Sequence, residues 1–311
     1  MTTYLVTGGA GFIGSHIVTA LVERGDHVKV LDNLSTGSRQ NLALLADRIE
    51  LLEGDLLDEP VVEQAVTGAE VVYHQAALAS VPRSVEKPLE THAACVTGTL
   101  HVLDAARRAG VRRVIYAGSS SAYGNQPKMP KCESDLPNPL SPYAAAKLAG
   151  EYYCRAFTES YGLETVVIRY FNVFGPRQDP NSEYSAVIPK FVTAMLAGQR
   201  PTVFGDGRQS RDFTFIDNVV AGNLAAEHAP GAVGRVFNIA CGQQFSLLEL
   251  IVSINRVLGT NVEPQFAPPR AGDVRESLAD IAAAREVLGY EPTVDFDEGL
   301  RRSIDYYRSL S

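Results

Sequence analysis

The stretch Thr7-Gly8-Gly9-Ala10-Gly11-Phe12-Ile13-Gly14 follows a strand-like run at residues 4–7 and opens a helix-length amphipathic segment. A glycine-rich turn between a strand and a helix lets backbone N–H groups and the helix N-terminus approach a pyrophosphate. The spacing here is Gly-x-x-Gly-x-x-Gly, and glycines in such a turn can also serve tight packing alone. The surroundings decide between the two. Five more short apolar runs follow, at residues 27–31, 49–52, 70–74, 113–117 and 165–170. Between them lie segments of 3.6-residue period, such as Leu100, Val102, Leu103 and Ala106, or Leu148, Tyr152, Tyr153 and Ala156. This alternation predicts an α/β fold, a doubly wound parallel sheet with helices on both faces. Strands buried on both sides suit such apolar runs.

The pattern changes near Gly175-Pro176-Arg177. A loop-rich stretch with Pro180, Pro189, Pro201 and Gly205-Asp206-Gly207 follows. A helix pattern at 219–228 and a strand at 236–240 come next, then a helix at 247–258, a proline-rich link at 264–269, and short helices at 281–288 and 299–310. The expected division is a sheet domain of residues 1–174 with a returning segment of about 211–245. A smaller C-terminal lobe takes about 175–210 and 246–311.

Two further features support a dinucleotide. The second run is closed by Asp32, 18 residues after Gly14. An acid there can accept from an adenosine ribose 2′-OH and would repel a 2′-phosphate, which favours NAD over NADP. The third run ends at Gly54-Asp55-Leu56, on the same sheet edge.

Tyr143-Ala144-Ala145-Ala146-Lys147 opens a helix after Ser141-Pro142, and residues four apart share a helical face. Tyrosine ordinarily titrates near 10, and bringing it to about 7 takes roughly 4 kcal/mol. One cation at about 4 Å, at an effective dielectric of about 20, supplies roughly that much. Lys147 is a candidate for that cation, and an oxidised nicotinamide ring would add a second. The hydroxyl run Ser119-Ser120-Ser121 follows the fifth strand directly, at the carboxyl end where open α/β sheets bind ligands. A serine there can donate to a substrate oxygen while the tyrosine takes its proton.

Composition narrows the field. Among the 311 residues, 36 acidic side chains face 28 basic ones, a formal charge of −8, without the basic excess of a nucleic-acid binder. No apolar run is long enough for a membrane span. The N-terminus reads directly into a strand without a secretory signal. Cys95, Cys132, Cys154 and Cys241 are scattered and the six histidines lack ligand spacing, so no metal is expected. A cytoplasmic protein is expected.

Taken together, these motifs resemble the extended short-chain dehydrogenase/reductase family. Within it they look most like the nucleoside-diphosphate-sugar 4-epimerases acting on UDP-glucose and UDP-N-acetylglucosamine. The resemblance rests on TGGAGFIGSH at 7–16, DNLSTG at 32–37, SSSAYG at 119–124, the Tyr143/Lys147 pair, RYFNVFG at 169–175, SRDFTFID at 210–217 and RAGDV at 270–274. It covers nearly the whole chain.

The resemblance implies a Rossmann-type NAD site. Gly8, Gly11, Phe12, Ile13 and Gly14 would hold the pyrophosphate. Asp32, Asn33, Ser35, Thr36 and Gly37 would hold the adenosine ribose, and Asp55 and Leu56 would border the adenine. Gln75, Ala76, Ala77 and Ala79 would border the nicotinamide half, Lys147 would grip its ribose, and Phe171 would close over the cofactor. Tyr143 would be the acid/base, helped by Ser119. Ser121 and Asn172 would meet the sugar nucleotide. Val187, Phe204, Arg211, Arg270 and Asp273 would line its uridine and phosphate site. The two arginines supply forked donors for a pyrophosphate, which the acidic average charge does not.

The implied reaction is reversible inversion at C4 of a UDP-hexose with NAD kept bound. Related dehydratases and decarboxylases carry acidic residues where this chain has Ser120 and Ser121, which disfavours elimination. A non-catalytic NAD-sensing protein is a weaker reading, because both Tyr143 and Lys147 are present. Cys95 departs from the asparagine usual in related epimerases, and a thiol is a weaker hydrogen-bond partner than an amide. The residue beside the sugar's C2 substituent would be Ser277, small enough to admit an N-acetyl group. Helices at 97–109 and 143–161 would pair across a two-fold axis in a homodimer.

Overall fold

The computed structural model describes residues 2–180, 187–269 and 275–310. Seven strands form one parallel sheet. In spatial order they are Arg235–Ile239, Glu164–Tyr170, Arg113–Ser119, Val71–His74, Thr3–Thr7, His27–Asp32 and Ile49–Glu53. The predicted strands therefore all form, with ends displaced by no more than two residues. Side chains alternate between the two faces, as strand geometry requires. Tyr4, Val6, Val28 and Val30 enter one buried cluster, while Leu5, Leu31, Val72 and Val114 enter the other.

The strand order reverses between Thr3–Thr7 and Val71–His74, which leaves a crevice at their carboxyl ends. Register aligns those ends: Thr7 lies opposite both Leu31 and His74, and Ser119 opposite Tyr170. The motif residues thus share one edge.

The stretch read as loop-rich contains a helix, Val187–Leu196. Pro189 is its third residue, where a missing N–H breaks no intrahelical bond, so the prolines did not forbid a helix. Thr202–Phe204 pairs in parallel with Gln265–Ala267, and Ser210–Arg211 lies between Phe245–Ser246 and Glu276–Ser277. Phe174, Phe213, Phe215, Phe245 and Phe296 form a ring cluster beneath these strands. The last helix, Phe296–Ser309, starts three residues earlier than its periodicity predicts, because Asp295 caps it by accepting the Glu298 N–H. Among the described residues no helix is long and apolar enough to cross a membrane.

Candidate active site

A cleft of about 1040 Å³ runs along the carboxyl edge of the sheet. That is the upper end of the volume usual for small-molecule sites. Its floor is the glycine turn. Gly8 is left-handed (φ +68°), and a Cβ on it would lie 2.6 Å from the Ala76 nitrogen. A Cβ on Gly14 would overlap the Gly8 carbonyl oxygen and lie 2.8 Å from Gly9 Cα. Only glycine lets the helix Phe12–Glu23 begin this close to the strand it follows.

The predicted cofactor residues lie in this cleft, with one exception. Gly8 and Gly11 to Gly14 line one part, Asp32, Asn33 and Ser35 to Gly37 with Asp55 and Leu56 another, and Gln75 to Ala79 a third. Asp32 is nearly buried; its carboxylate accepts the Ala10 N–H at 2.9 Å and the Leu34 N–H at 2.8 Å. Asn33 donates to the Asp55 carboxylate at 2.7 Å, joining the second and third strand ends. The exception is Phe171. It is fully buried against the Tyr123 ring at 6.0 Å, and the preceding Tyr170 reaches the cleft in its place. The Tyr170 hydroxyl lies 2.9 Å from Gln75 Oε1 and 3.0 Å from Asn223 Oδ1, with its single proton shared between them. The other end of that amide, Gln75 Nε2, is buried with no hydrogen-bond partner. A buried donor left unmade at a cleft wall calls for a ligand acceptor. The glycine cradle, the Asp32 carboxylate and this amide donor together suit an NAD-type dinucleotide.

Tyr143 and Lys147 also line the cleft. Ser141 accepts the Ala144 N–H at 3.1 Å and Pro142 occupies the first turn, so the helix Pro142–Tyr161 starts where Tyr143 meets the cleft. Burial pushes the Tyr143 hydroxyl well above the usual tyrosine range, and hydrogen bonding with Ser119 pulls the other way. Lys147 is buried, which lowers its pKa. Its Nζ donates to the Ala117 carbonyl at 2.9 Å and stands 5.0 Å from the centre of the Tyr116 ring. The lysine is thus held by the end of the fifth strand, rather than resting on Tyr143 as a simple i,i+4 pair would. Ser121 donates to Ser119 Oγ at 2.8 Å, which orients the serine hydroxyl.

Beneath the cleft, His74 bonds Thr7 at 2.7 Å and Thr99 at 3.0 Å, and burial lowers it to about 3, so it is neutral. Cys95 is buried among Val96, Ala146, Ala77 and Leu78. It fills a small apolar gap under the nicotinamide end of the predicted site.

Of the residues predicted for a sugar nucleotide, Asn172, Arg211 and Ser277 lie together, outside the cleft lining. Asn172 donates to the Asp212 carbonyl at 3.2 Å and to Ser277 Oγ at 3.4 Å. Ser277 sits opposite Arg211 in the parallel register, and Arg211 donates to the Ser210 and Arg275 carbonyls. Val187 opens its helix and Phe204 closes its strand. Arg270 and Asp273 lie outside the described residues.

Several cleft residues were not anticipated: Arg83, Glu90, Tyr170, Gln178 and Asp179. Tyr170 had a signal, being the last residue of a parallel strand. Arg83 had only the Ser80 cap and Pro82 of a short helix, Val81–Glu86. It pairs with Glu90 at 3.2 Å. Among the described residues no group of three or more metal-ligand side chains occurs.

Comparison with known proteins agrees with this geometry. The model of the NAD dependent epimerase/dehydratase family matches residues 4–240. The chain belongs to this family. A UDP-glucose 4-epimerase of Mycolicibacterium smegmatis is 42% identical over 311 residues, covering 99% of each chain. Among solved structures, a UDP-N-acetylglucosamine 4-epimerase from Methanobrevibacter ruminantium, in complex with UDP-N-acetylmuramic acid, superposes with a TM-score of 0.96. It is 40% identical and covers 100% of this chain and 99% of that one. A UDP-glucose 4-epimerase from Thermotoga maritima with UDP-glucose gives 0.95, at 39% identity and 99% coverage of both.

Proposed function

We propose that the chain is an NAD-dependent UDP-hexose 4-epimerase. It interconverts UDP-glucose with UDP-galactose, and the N-acetylglucosamine form with the N-acetylgalactosamine form. The observation that carries this reading is the entry of Tyr143 and Lys147 into the same cleft as the glycine turn, with Ser119 acting on Tyr143. NAD, when bound, would supply the acceptor and then the donor of the C4 hydride.

The protein's residues do the rest. The glycine turn and the first helix N-terminus hold the pyrophosphate, Asp32 the adenosine ribose, and Gln75 the nicotinamide half. Tyr143 takes the proton from the sugar 4-hydroxyl and later returns it. Burial holds its hydroxyl protonated, so it loses its proton only where positive charge is close. Lys147, four residues on along the same helix, and the pyridinium ring of NAD, when bound, would supply that charge. Ser119 donates to the sugar oxygen. Arg211 and Arg270 bind the diphosphate while the keto sugar presents its other face.

Ser120 and Ser121 favour epimerisation over elimination, since neither can deliver a proton to a leaving hydroxyl as a carboxylic acid would. The lobe of about 175–210 and 246–311 is assigned to the sugar nucleotide. A homodimer is part of the proposal. The helix Pro142–Tyr161 leaves Tyr152 and Tyr153 exposed, and the helices Val81–Glu86 and Pro88–His92, which touch it, leave Val85 and Leu89 exposed. The test of the function is Tyr143→Phe. Loss of nearly all UDP-galactose turnover with NAD still bound is expected, and undiminished turnover would refute the assignment.

A further inference from the structure

Asp212 has surroundings that the reaction as described does not use. Its side chain is fully buried. Oδ1 accepts the Cys241 N–H at 3.0 Å, and Oδ2 accepts the Gly242 N–H at 3.0 Å and the Ala279 N–H at 3.2 Å. Its own N–H donates to the Ser277 carbonyl at 2.7 Å, and its carbonyl accepts from Asn172 at 3.2 Å. One residue therefore ties together three segments remote in sequence. These are the bend after the strand Glu164–Tyr170, the loop leaving the strand Arg235–Ile239, and the chain around Glu276–Ser277.

The residues bonded to the Asp212 backbone belong to the predicted sugar-nucleotide site. Arg211 precedes it, Ser277 and Asn172 bond to its backbone, and Asn172 also reaches Ser277 Oγ. The dinucleotide cleft does not include it. Burial opposes its ionisation and raises it to about 7 against the three N–H bonds. A carboxyl group kept buried at that cost has a geometric task, because an apolar residue could pack there without it.

We infer that Asp212 is a positioning residue that sets the spacing of Asn172, Ser277 and Arg211, and through them the affinity for the sugar nucleotide. The inference rests on the reading of those three residues as sugar-nucleotide contacts. Its physical basis is donor count. All three straps are N–H donors, and a carboxylate accepts at both oxygens. An asparagine accepts at one oxygen only, and its NH₂ would face an N–H. Whichever way the amide lies, the strap at Cys241 or the pair at Gly242 and Ala279 loses its acceptor.

The test is Asp212→Asn in the full-length, NAD-loaded enzyme, with rates normalised to bound NAD. The expected KM for UDP-glucose rises about tenfold, from the loss of one buried acceptor, while kcat changes less than about threefold. NAD content stays at the wild-type level. A fall in kcat at unchanged KM, or a parallel loss of NAD, overturns the inference. Should that variant not accumulate, Asp212→Glu keeps the charge one methylene out of place and carries the same expectation. Failure of both to yield NAD-bearing protein would assign Asp212 to folding alone and also overturn it. Calorimetric titration with UDP reads the Arg211 contact without turnover, and an unchanged UDP affinity overturns the inference. If the wild type turned over no UDP-hexose, the functional reading would fall while this titration still decided the role of Asp212.

Discussion

Gly14→Ala is the sharpest probe of the cofactor cradle. The added methyl group would overlap the Gly8 carbonyl oxygen and stand 2.8 Å from both Gly8 C and Gly9 Cα. These are backbone atoms, so no flexible side chain can move aside. Gly8 has no room to retreat either, since it lies against the Ala76 backbone. The turn must shift as a unit, and with it the N–H groups that would hold the pyrophosphate. Overpacking of this kind costs about 1–3 kcal/mol. If that strain falls on the bound geometry, NAD retention weakens about 5- to 150-fold. The assay is NAD content per chain after purification, followed by titration of the stripped protein. Gly68→Ala is the control: its φ is +77° and nothing lies within 4 Å of the added carbon. It should cost about 1 kcal/mol of folding stability and leave NAD content unchanged. Wild-type NAD affinity in Gly14→Ala would refute the assignment of this turn to the pyrophosphate.

Other outcomes follow from the same structure. Glu151 and Arg169 are both buried and joined at 2.7 Å, so Glu151→Gln leaves a buried guanidinium without its counter-charge and should cost about 3–5 kcal/mol in denaturant unfolding. Unchanged stability would show that the pair is dispensable. For Asp212, the folded value near 7 lies above the ordinary carboxylate range, so the folded state keeps a proton that the unfolded chain releases. Its contribution to stability is fully present below about pH 4 and is lost as pH rises to about 7, by at most about 1.4 kcal/mol per unit. Comparing wild type with Asp212→Asn across that range isolates the slope, and a slope of opposite sign would contradict it. Ser277→Tyr should reduce turnover of UDP-N-acetylglucosamine relative to UDP-glucose by about 5-fold or more, from overpacking against the acetamido group. An unchanged ratio would place the discriminating residue elsewhere.

The sheet was legible because its strands are buried on both faces. Runs such as Val71-Val72-Tyr73 carry no competing polar signal and could be ordered by the helices between them. The glycine turn, Asp32 and the Tyr143/Lys147 pair were legible for a related reason. Each is a short local pattern whose chemistry depends on spacing along one element. What stayed hidden depends on long-range approach. Asp212 takes its bonds from residues 241, 242 and 279, and no local pattern around SRDF announces that. Phe171 and Tyr170 are neighbours on a strand end, so one position decides which ring is buried and which meets the cleft. The helix Val187–Leu196 was masked by its proline, a residue that breaks helices only beyond the first turn. Lys147 shows a further gap: its spacing from Tyr143 suggested a direct pair, whereas the Ala117 carbonyl holds its ammonium group.

The most direct test of the account is to incubate the purified protein with UDP-galactose, with no cofactor added, and resolve the products by chromatography and mass. Two residues in one cleft, Tyr143 and Lys147, and the proposed retention of the dinucleotide through turnover predict UDP-glucose of unchanged mass, approaching the same ratio from either sugar. A product lighter by water or carbon dioxide, or conversion that requires stoichiometric added NAD, would contradict it.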